Sequence, residues 1–558
     1  MRVTVSEPSR REGGRRTTIA LPQFVPAPMA ASRQLATKAR RPDYSRWRVA
    51  SLIGVHLLIA FHITHWLLRG ETLAPLELNE VMYTLELGII TAGFVLMALA
   101  LVSVVIFGRF FCSWGCHILA LQDLCAWLLR RLGLRAATVR PKVLLAVPVI
   151  AMLYMFAWPQ VARVIAGAPL PTLHLRGDAQ GWASFITDDF WRNLPGPGVA
   201  LVTFGICGFV VVWVMGTRAF CQYACPYGAL FAVADRFAPG RIVVDADRCT
   251  SCGRCTAVCD SHVRVHEEIK HYGSVVDASC LKDLDCVSAC PEGALSFGWT
   301  APSITRTLRP MRARLRSHFT ATESALAVVA MVASLLIFRG LYASTPFLLS
   351  LAIGLVNAVV VVTATRLGDH TSVRFAQWML MTRGALTRPG RVFVGAAALL
   401  FVFTVHSAFI RYHEWAAASA LDEASALYRS GASSDAVVDA SFRARDHLRL
   451  TVRWGLLVPR GRERQLASAH WGMGDPLGAE EWWQAAIDRN ADDDGSRLDL
   501  GISMMRRGKA RQAVPLLETV ARARERSRTD AAEYEDLRAQ ANEALAAIRS
   551  AQGAGGPD

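Results

Sequence analysis

Apolar residues in this chain gather in long runs, with most of the polar residues collected in blocks between them. Seven runs stand out: Val49 to Leu68, Leu85 to Phe107, Val143 to Ala162, Val199 to Met215, Ala325 to Tyr342, Phe347 to Thr365 and Val392 to Ile410. Each is close to the roughly 20 residues a helix needs to cross the hydrocarbon of a bilayer. The pattern therefore predicts an all-α polytopic membrane protein. Two regions do not fit that pattern. Residues 240–300 are polar and rich in cysteine, and predict an inserted α+β domain. Beyond Ile410 the chain is rich in Ala, Arg, Glu and Leu. There Leu466, His470, Gly474, Ala479, Trp483 and Ala486 recur 34 residues later as Leu500, Met504, Gly508, Ala513, Leu517 and Val520. That is the period and the small/large pattern of tetratricopeptide repeats, so a helical solenoid is expected, with Ala531 to Ile548 as a capping helix.

The expected organisation is a basic disordered tail over 1–47, a duplicated four-helix membrane domain over 48–235, the inserted domain over 240–300, three further spans over 301–412 and the repeat domain over 413–558. Composition agrees: 52% of residues are hydrophobic and 19% charged, an apolar balance for a globular chain. The formal charge of +15 is topological, not a nucleic-acid footprint. Arg130, Arg131, Arg135 and Arg140, then Arg306 to Arg316, then Arg383, Arg388 and Arg391 mark loops expected on the cytoplasmic side. Glu71, Glu77, Glu80, Asp178, Asp188 and Asp189 mark loops expected outside. By that count the tail (Arg10, Arg11, Arg15, Arg16, Lys38, Arg40, Arg41) stays in the cytoplasm without serving as a signal peptide. The cysteine-rich insert is also cytoplasmic, and the repeat domain lies on the periplasmic face. A reducing compartment suits 13 cysteines that act as metal ligands rather than disulfides.

The insert carries the chemistry. Cys249, Cys252, Cys255 and Cys259 follow the spacing with which bacterial ferredoxins hold a cubane iron-sulfur cluster. Cys280, Asp283, Cys286 and Cys290 repeat the ruler, with Asp283 where a cysteine would stand. In two-cluster ferredoxins the fourth cysteine serves the other cluster. Cluster one is therefore expected on Cys249, Cys252, Cys255 and Cys290, and cluster two on Cys259, Cys280, Cys286 and Asp283. A carboxylate is a harder ligand than a thiolate. Cluster two is then either a [4Fe-4S] centre with one oxygen ligand or a [3Fe-4S] centre. The competing readings are a decayed second site and, for the first run, zinc.

A further repetition lies in the membrane part: Arg109-Phe-Phe111-Cys112-x3-Cys116-His117 matches Arg218-Ala-Phe220-Cys221-x3-Cys225-Pro226. Each copy ends a pair of spans on the side of the insert. Cys112, Cys116, Cys221 and Cys225 are enough for a third [4Fe-4S] cluster or another metal site, with thiol exchange or plain packing as alternatives. Covalent haem is rejected because the run is Cys-x3-Cys-His. His56, His62 and His65 in the first span and the lone His406 in the seventh are read first as hydrogen-bonded packing, with haem b or quinol proton transfer as the functional alternative. Glu86 is a candidate quinol proton acceptor. Cys125 and Cys207 are read as packing thiols, and His262, His266 and His271 as residues of a solvated helix.

Paired Cys-x3-Cys elements behind helical hairpins, followed by a two-cluster insert, resemble the NapH/NosR family of membrane-bound ferredoxins over roughly residues 48 to 300. The resemblance implies electron transfer from membrane quinol, or from a cytoplasmic donor, toward a periplasmic redox partner, as a quinol-dehydrogenase-like oxidoreductase component. The chain is also similar to cytochrome oxidase accessory proteins of the CcoG/RdxA type, which implies metallocentre assembly and copper reduction. It departs from the family pattern at His117, at Asp260 and at Asp283. A non-redox scaffold built on the repeats is the third reading.

Overall fold

The computed structural model describes residues 43–74, 76–137, 139, 141–175, 185–187, 196–306, 319–459, 461–523 and 531–554. The expectations on residues 1–42, Arg140, Asp178, Asp188, Asp189 and the run 307–316 lie outside them. These residues are mostly helical, with three small antiparallel sheets among them. Among the described residues six helices are long and apolar enough to cross a membrane. With the similarities reported below, they mark a membrane protein.

Helix α1 (Tyr44–Arg69) leads to α2 (Val81–Leu87) and α3 (Ala92–Phe107). The second expected span is thus not one helix. Gly88, at φ 77, closes α2, and Thr91 caps α3 by accepting from the Phe94 N–H. The extended residues between them pair with the loop after the third span: the Ile90 N–H donates to the His174 carbonyl at 2.9 Å. At about 1.5 Å per residue, the 16 residues of α3 reach about 24 Å, short of a full crossing. α4 (Phe110–Trp114) and α5 (His117–Arg131) follow, then α6 (Val143–Ile165) and α7 (Pro197–Met215), each interrupted by a π-helical segment. α8 (Ala219–Tyr223) and α9 (Pro226–Asp235) repeat α4 and α5. Strands β1 (Thr72–Leu73) and β2 (Ile186–Thr187) join the loops after α1 and α6 on the far side.

The insert is built on β3 (Gly240–Val244) paired antiparallel with β4 (Leu295–Trp299), carrying the short helices α10 (Arg254–Ala257), α11 (Val265–Tyr272) and α12 (Asp285–Ser288). After α13 (Ser303–Arg306), α14 (Ala321–Phe338) starts from a capping box, Thr320 with Glu323. The fifth span therefore ends at Phe338, not at Tyr342, because Gly340 and Tyr342 adopt positive φ in the turn to α15 (Phe347–Asp369). The loop beyond α15 holds a three-stranded sheet, β5 (Val373–Phe375), β6 (Trp378–Thr382) and β7 (Ala385–Leu386), that packs Phe375 and Trp378 on Trp213.

The seventh span, expected to stop at Ile410, continues as α16 (Arg388–Arg429) without a break at 412. It packs along α17 (Ser434–Trp454). Two helical hairpins follow, α18 (Arg462–Gly472) with α19 (Pro476–Arg489), then α20 (Asp494–Arg506) with α21 (Ala510–Ala521), and α22 (Ala531–Ala554) closes the array. Gly474 and Gly508, at φ 75 and 74, turn the two hairpins at equivalent places. Leu466 and Leu500, Ala479 and Ala513, and Trp483 and Leu517 are buried at equivalent depths.

Candidate functional site

Both cysteine loops of the insert adopt the same backbone path. Ser251 and Gly253 in the first loop have φ 54 and 72; Lys282 and Leu284, each 31 residues on, have φ 57 and 64. A left-handed leucine costs roughly 1–2 kcal/mol, so the second loop keeps this shape against its local preference. Cys249, Cys252, Cys255 and Cys290 line one open cavity of about 220 Å³, together with His266 and Lys270. Cys252 is exposed at its mouth. Cys259, Cys280, Asp283 and Cys286 come together deeper in the domain, close enough for their charges to interact.

Among the described residues no three such groups close on a single metal ion. A cluster makes a different demand, because each ligand takes its own iron. The donor set also suits one: the Ala294 N–H points at the Cys290 sulfur at 3.3 Å, and the Val263 and Ser261 N–H groups point at Cys259. N–H groups aimed at sulfur are among the features that set cluster potential. Burial pushes the Asp283 and Asp285 carboxyls up, Asp285 to about 6, while Arg48 and Arg218 pull them the other way.

The duplicated membrane elements meet. α4 and α8 are single helical turns that follow Gly108 and Gly216, and Cys116 and Cys225 cap the helices after them. This brings Cys112, Cys116, Cys221 and Cys225 into one apolar cluster with Met97, Val104, Leu119 and Phe231. The four thiols lie within electrostatic reach of one another. The Gln122 side-chain N–H donates to Cys221 at 3.2 Å and the Gly228 N–H to Cys225 at 3.3 Å. The arginine of each motif copy, Arg109 and Arg218, is buried beside the thiols. Arg109 bonds and attracts the Cys112 sulfur, and among the described residues Nε and Nη2 of Arg218 meet no acceptor. Buried cationic donors beside four sulfurs fit an anionic metal-thiolate group.

The loop Cys280–Cys286 docks directly on this element. Trp114 Nε1 donates to the Lys282 carbonyl at 3.1 Å, and Arg109 Nη1 to the Ala278 carbonyl at 3.1 Å. Lys282, fully buried, pairs with Asp235 at 2.7 Å, and the same carboxylate accepts from the Arg109 N–H at 3.0 Å. Asp123 receives both Arg218 and Arg48, and Arg48 extends to Asp285. Sequence reasoning placed Arg109 and Arg218 in the motif but did not foresee Trp114, Lys282, Asp123 or Asp235. Their roles depend on contacts across more than 40 residues, for which the sequence carries no local signal.

The remaining candidates fall elsewhere. His56, His62 and His65 bond locally, to the Leu52 carbonyl, the Leu73 carbonyl and Thr72. Glu86 is exposed on the far side from the insert. Cys125 packs where a Cβ on Gly208 would clash at 2.8 Å, and Cys207 lies in the π-helical segment of α7. His262 is not on a helix but in a turn at φ 58 against Gly216, whereas His266 and His271 are on α11.

Residues 241–294 and 216–263 each match a family model described as a 4Fe-4S dicluster domain, and residues 89–135 match a 4Fe-4S binding domain. The chain is similar to YccM of Escherichia coli strain K12, named for electron transport, at 23% identity over 47% of this chain and 77% of that protein. It is similar to the methylamine utilization ferredoxin-type protein MauN of Methylobacillus flagellatus at 27% over 45% and 89%, and to the ferredoxin-type protein NapH of Haemophilus influenzae at 23% over 44% and 78%. No solved structure matches the chain. The chain thus carries ferredoxin-type iron-sulfur domains in a membrane protein, similar to NapH-like ferredoxins.

Proposed function

We propose that this protein passes electrons across the boundary between the membrane and a soluble iron-sulfur domain, drawing them from the quinol pool or a cytoplasmic donor for a redox partner. The observation that supports this best is the docking of the Cys280–Cys286 loop onto the four membrane thiols through Trp114, Lys282 and Arg109. Iron-sulfur clusters, when bound, supply one-electron transfer between metal sites.

Cys249, Cys252, Cys255 and Cys290 would hold one, Cys259, Cys280, Cys286 and Asp283 a second, and Cys112, Cys116, Cys221 and Cys225 a third. These residues also set an order. The thiol set among the helices is the one a lipid-soluble donor can approach; the Asp283 set lies between; the set with exposed Cys252 faces solvent, where a soluble partner can dock. Arg109, Arg218 and Arg48 counter the negative charge of the inner sets. The basic loops support a cytoplasmic insert, and the helical hairpins, as a tetratricopeptide-like array, would hold a periplasmic partner.

The test is anaerobic purification in detergent, with iron and acid-labile sulfide counted and electron paramagnetic resonance recorded before and after adding a quinol. About eleven to twelve irons, eleven where the Asp283 set holds a three-iron centre, with quinol-dependent signals, is the expected result. Negligible iron, or iron that no quinol or soluble ferredoxin donor reduces, sinks the reading.

A further inference from the structure

Beyond α16 the chain should leave the membrane, yet α17 runs back along it. His406 Nε2 meets the Trp454 carbonyl at 2.9 Å, and His406 lies one helical turn before Ile410, inside the apolar stretch of α16. The tip that follows, Gly455-Leu456-Leu457-Val458, sits against the turn between α14 and α15. The Leu456 N–H donates to the Tyr342 hydroxyl at 3.0 Å, and a Cβ on Gly455 would come within 3.5 Å of the Tyr342 ring. Tyr342 in turn clusters with Phe338, Leu341 and Ile410 at the ends of three spans. The tip is therefore level with the end of the bundle, on the face opposite the ferredoxin domain.

Its side chains point outward. Trp454 is 55%, Leu456 64% and Leu457 62% exposed, continuous with Val405, Phe409 and Tyr412 on the outer surface of α16. Three backbone groups at the tip are bonded within the protein: the Trp454 carbonyl meets His406, and the Gly455 and Leu456 N–H groups donate to the Thr451 carbonyl and the Tyr342 hydroxyl. Exposed apolar side chains over backbone groups bonded in this way suit the lipid interface. Arg453 stacks over the Trp454 ring, 5.5 Å from its centroid, a cationic-aromatic pair of the kind enriched at the headgroup level.

We propose that Trp454–Val458 is a membrane-seated anchor. Its apolar side chains insert into the phospholipid interface beside α16 and fix the C-terminal helical array against the bilayer. His406 acts here as the hydrogen-bond partner that lets the loop return to membrane depth, which accounts for a histidine inside the apolar stretch of α16.

The full chain is reconstituted in phosphatidylcholine nanodiscs with plain or brominated acyl chains, and the fluorescence of Trp454→Phe is subtracted from that of the intact protein. The difference emission should fall at least two-fold in brominated lipid, and less in the Leu456→Ser/Leu457→Ser double variant. Difference emission equally bright in both lipids overturns the anchor. On the unsubstituted protein, a carbene-generating acyl-chain probe should label 454–458. Labelling of the α16 surface without that segment also overturns it, and points to a protein occupant instead.

Discussion

At the scale of single residues, Asp283 decides what the inner site can be. Its loop holds the backbone conformation of the all-cysteine loop even at Leu284, so Asp283→Cys has a ready geometry to enter. That variant should raise bound iron toward about eight for the two insert sites and remove any three-iron resonance from the oxidised protein, as metal analysis and paramagnetic resonance will show. Lys282→Met should do the opposite kind of damage. It strands the Asp235 carboxylate at zero exposure, a fault that costs about 3–5 kcal/mol in buried pairs, softened here by Arg241 at 3.5 Å. Thermal unfolding together with loss of visible absorbance will measure it.

Glu268 carries a pH signature. Burial, with Asp277 beside it, pushes its carboxyl up to about 7 although the Val276 and Asp277 N–H groups bond it. The folded state therefore holds this proton more tightly than the unfolded chain does. Its contribution to stability is fullest below the unfolded value near 4.5 and is lost as pH rises toward 7. Over that window the melting temperature of the parent should fall relative to that of Glu268→Gln as pH rises; parallel curves refute the assignment. The eight residues proposed as insert ligands could be named from spacing alone. Glu268 could not, since only the fold brings it under the 276–277 backbone.

Elements show where hydropathy reads well and where it fails. Long apolar helices were legible, because a bilayer imposes one length and one polarity. The break at Gly88 was not, since Leu85–Phe107 is apolar apart from Glu86, Thr91 and Ser103, and the extended residues between α2 and α3 pair with His174, far along the chain. The sheet β5–β7 was invisible for a related reason: its strands are short, and its buried residues belong to a core completed by Trp213. The π-helical segments in α6 and α7 also leave no sequence mark. The 34-residue recurrence was legible because each hairpin must bury the same face. Trp483, 4% exposed between hairpins, tests that array. Trp483→Ala should cost about 3–5 kcal/mol and open the C-terminal hairpins to protease, with iron content unchanged.

For the whole molecule, the described residues sort onto two faces. Arg48, Asp123, Arg218, the ferredoxin strands and the sheet β5–β7 share one; the β1–β2 pair, Tyr342 and the C-terminal hairpins share the other. Protease added to right-side-out vesicles should therefore cut the array and spare the cluster loops, and inverted vesicles should reverse the pattern. Cleavage of both domains from one side contradicts the proposed orientation. The iron-sulfur character was legible at this scale from the motifs, whereas the contact between the membrane elements and the insert was not.

α16 joins these two faces in a single piece. Its 42 residues extend about 63 Å at 1.5 Å per residue, roughly twice the hydrocarbon thickness, with the sheet β5–β7 at one end and the first packing layer of the array at the other. A rod of that length, held at both ends, transmits torque. The sheet at its near end packs on Trp213 at the foot of α7, eight residues before Cys221, so a tilt of the array would reach the loop of the thiols through one continuous helix.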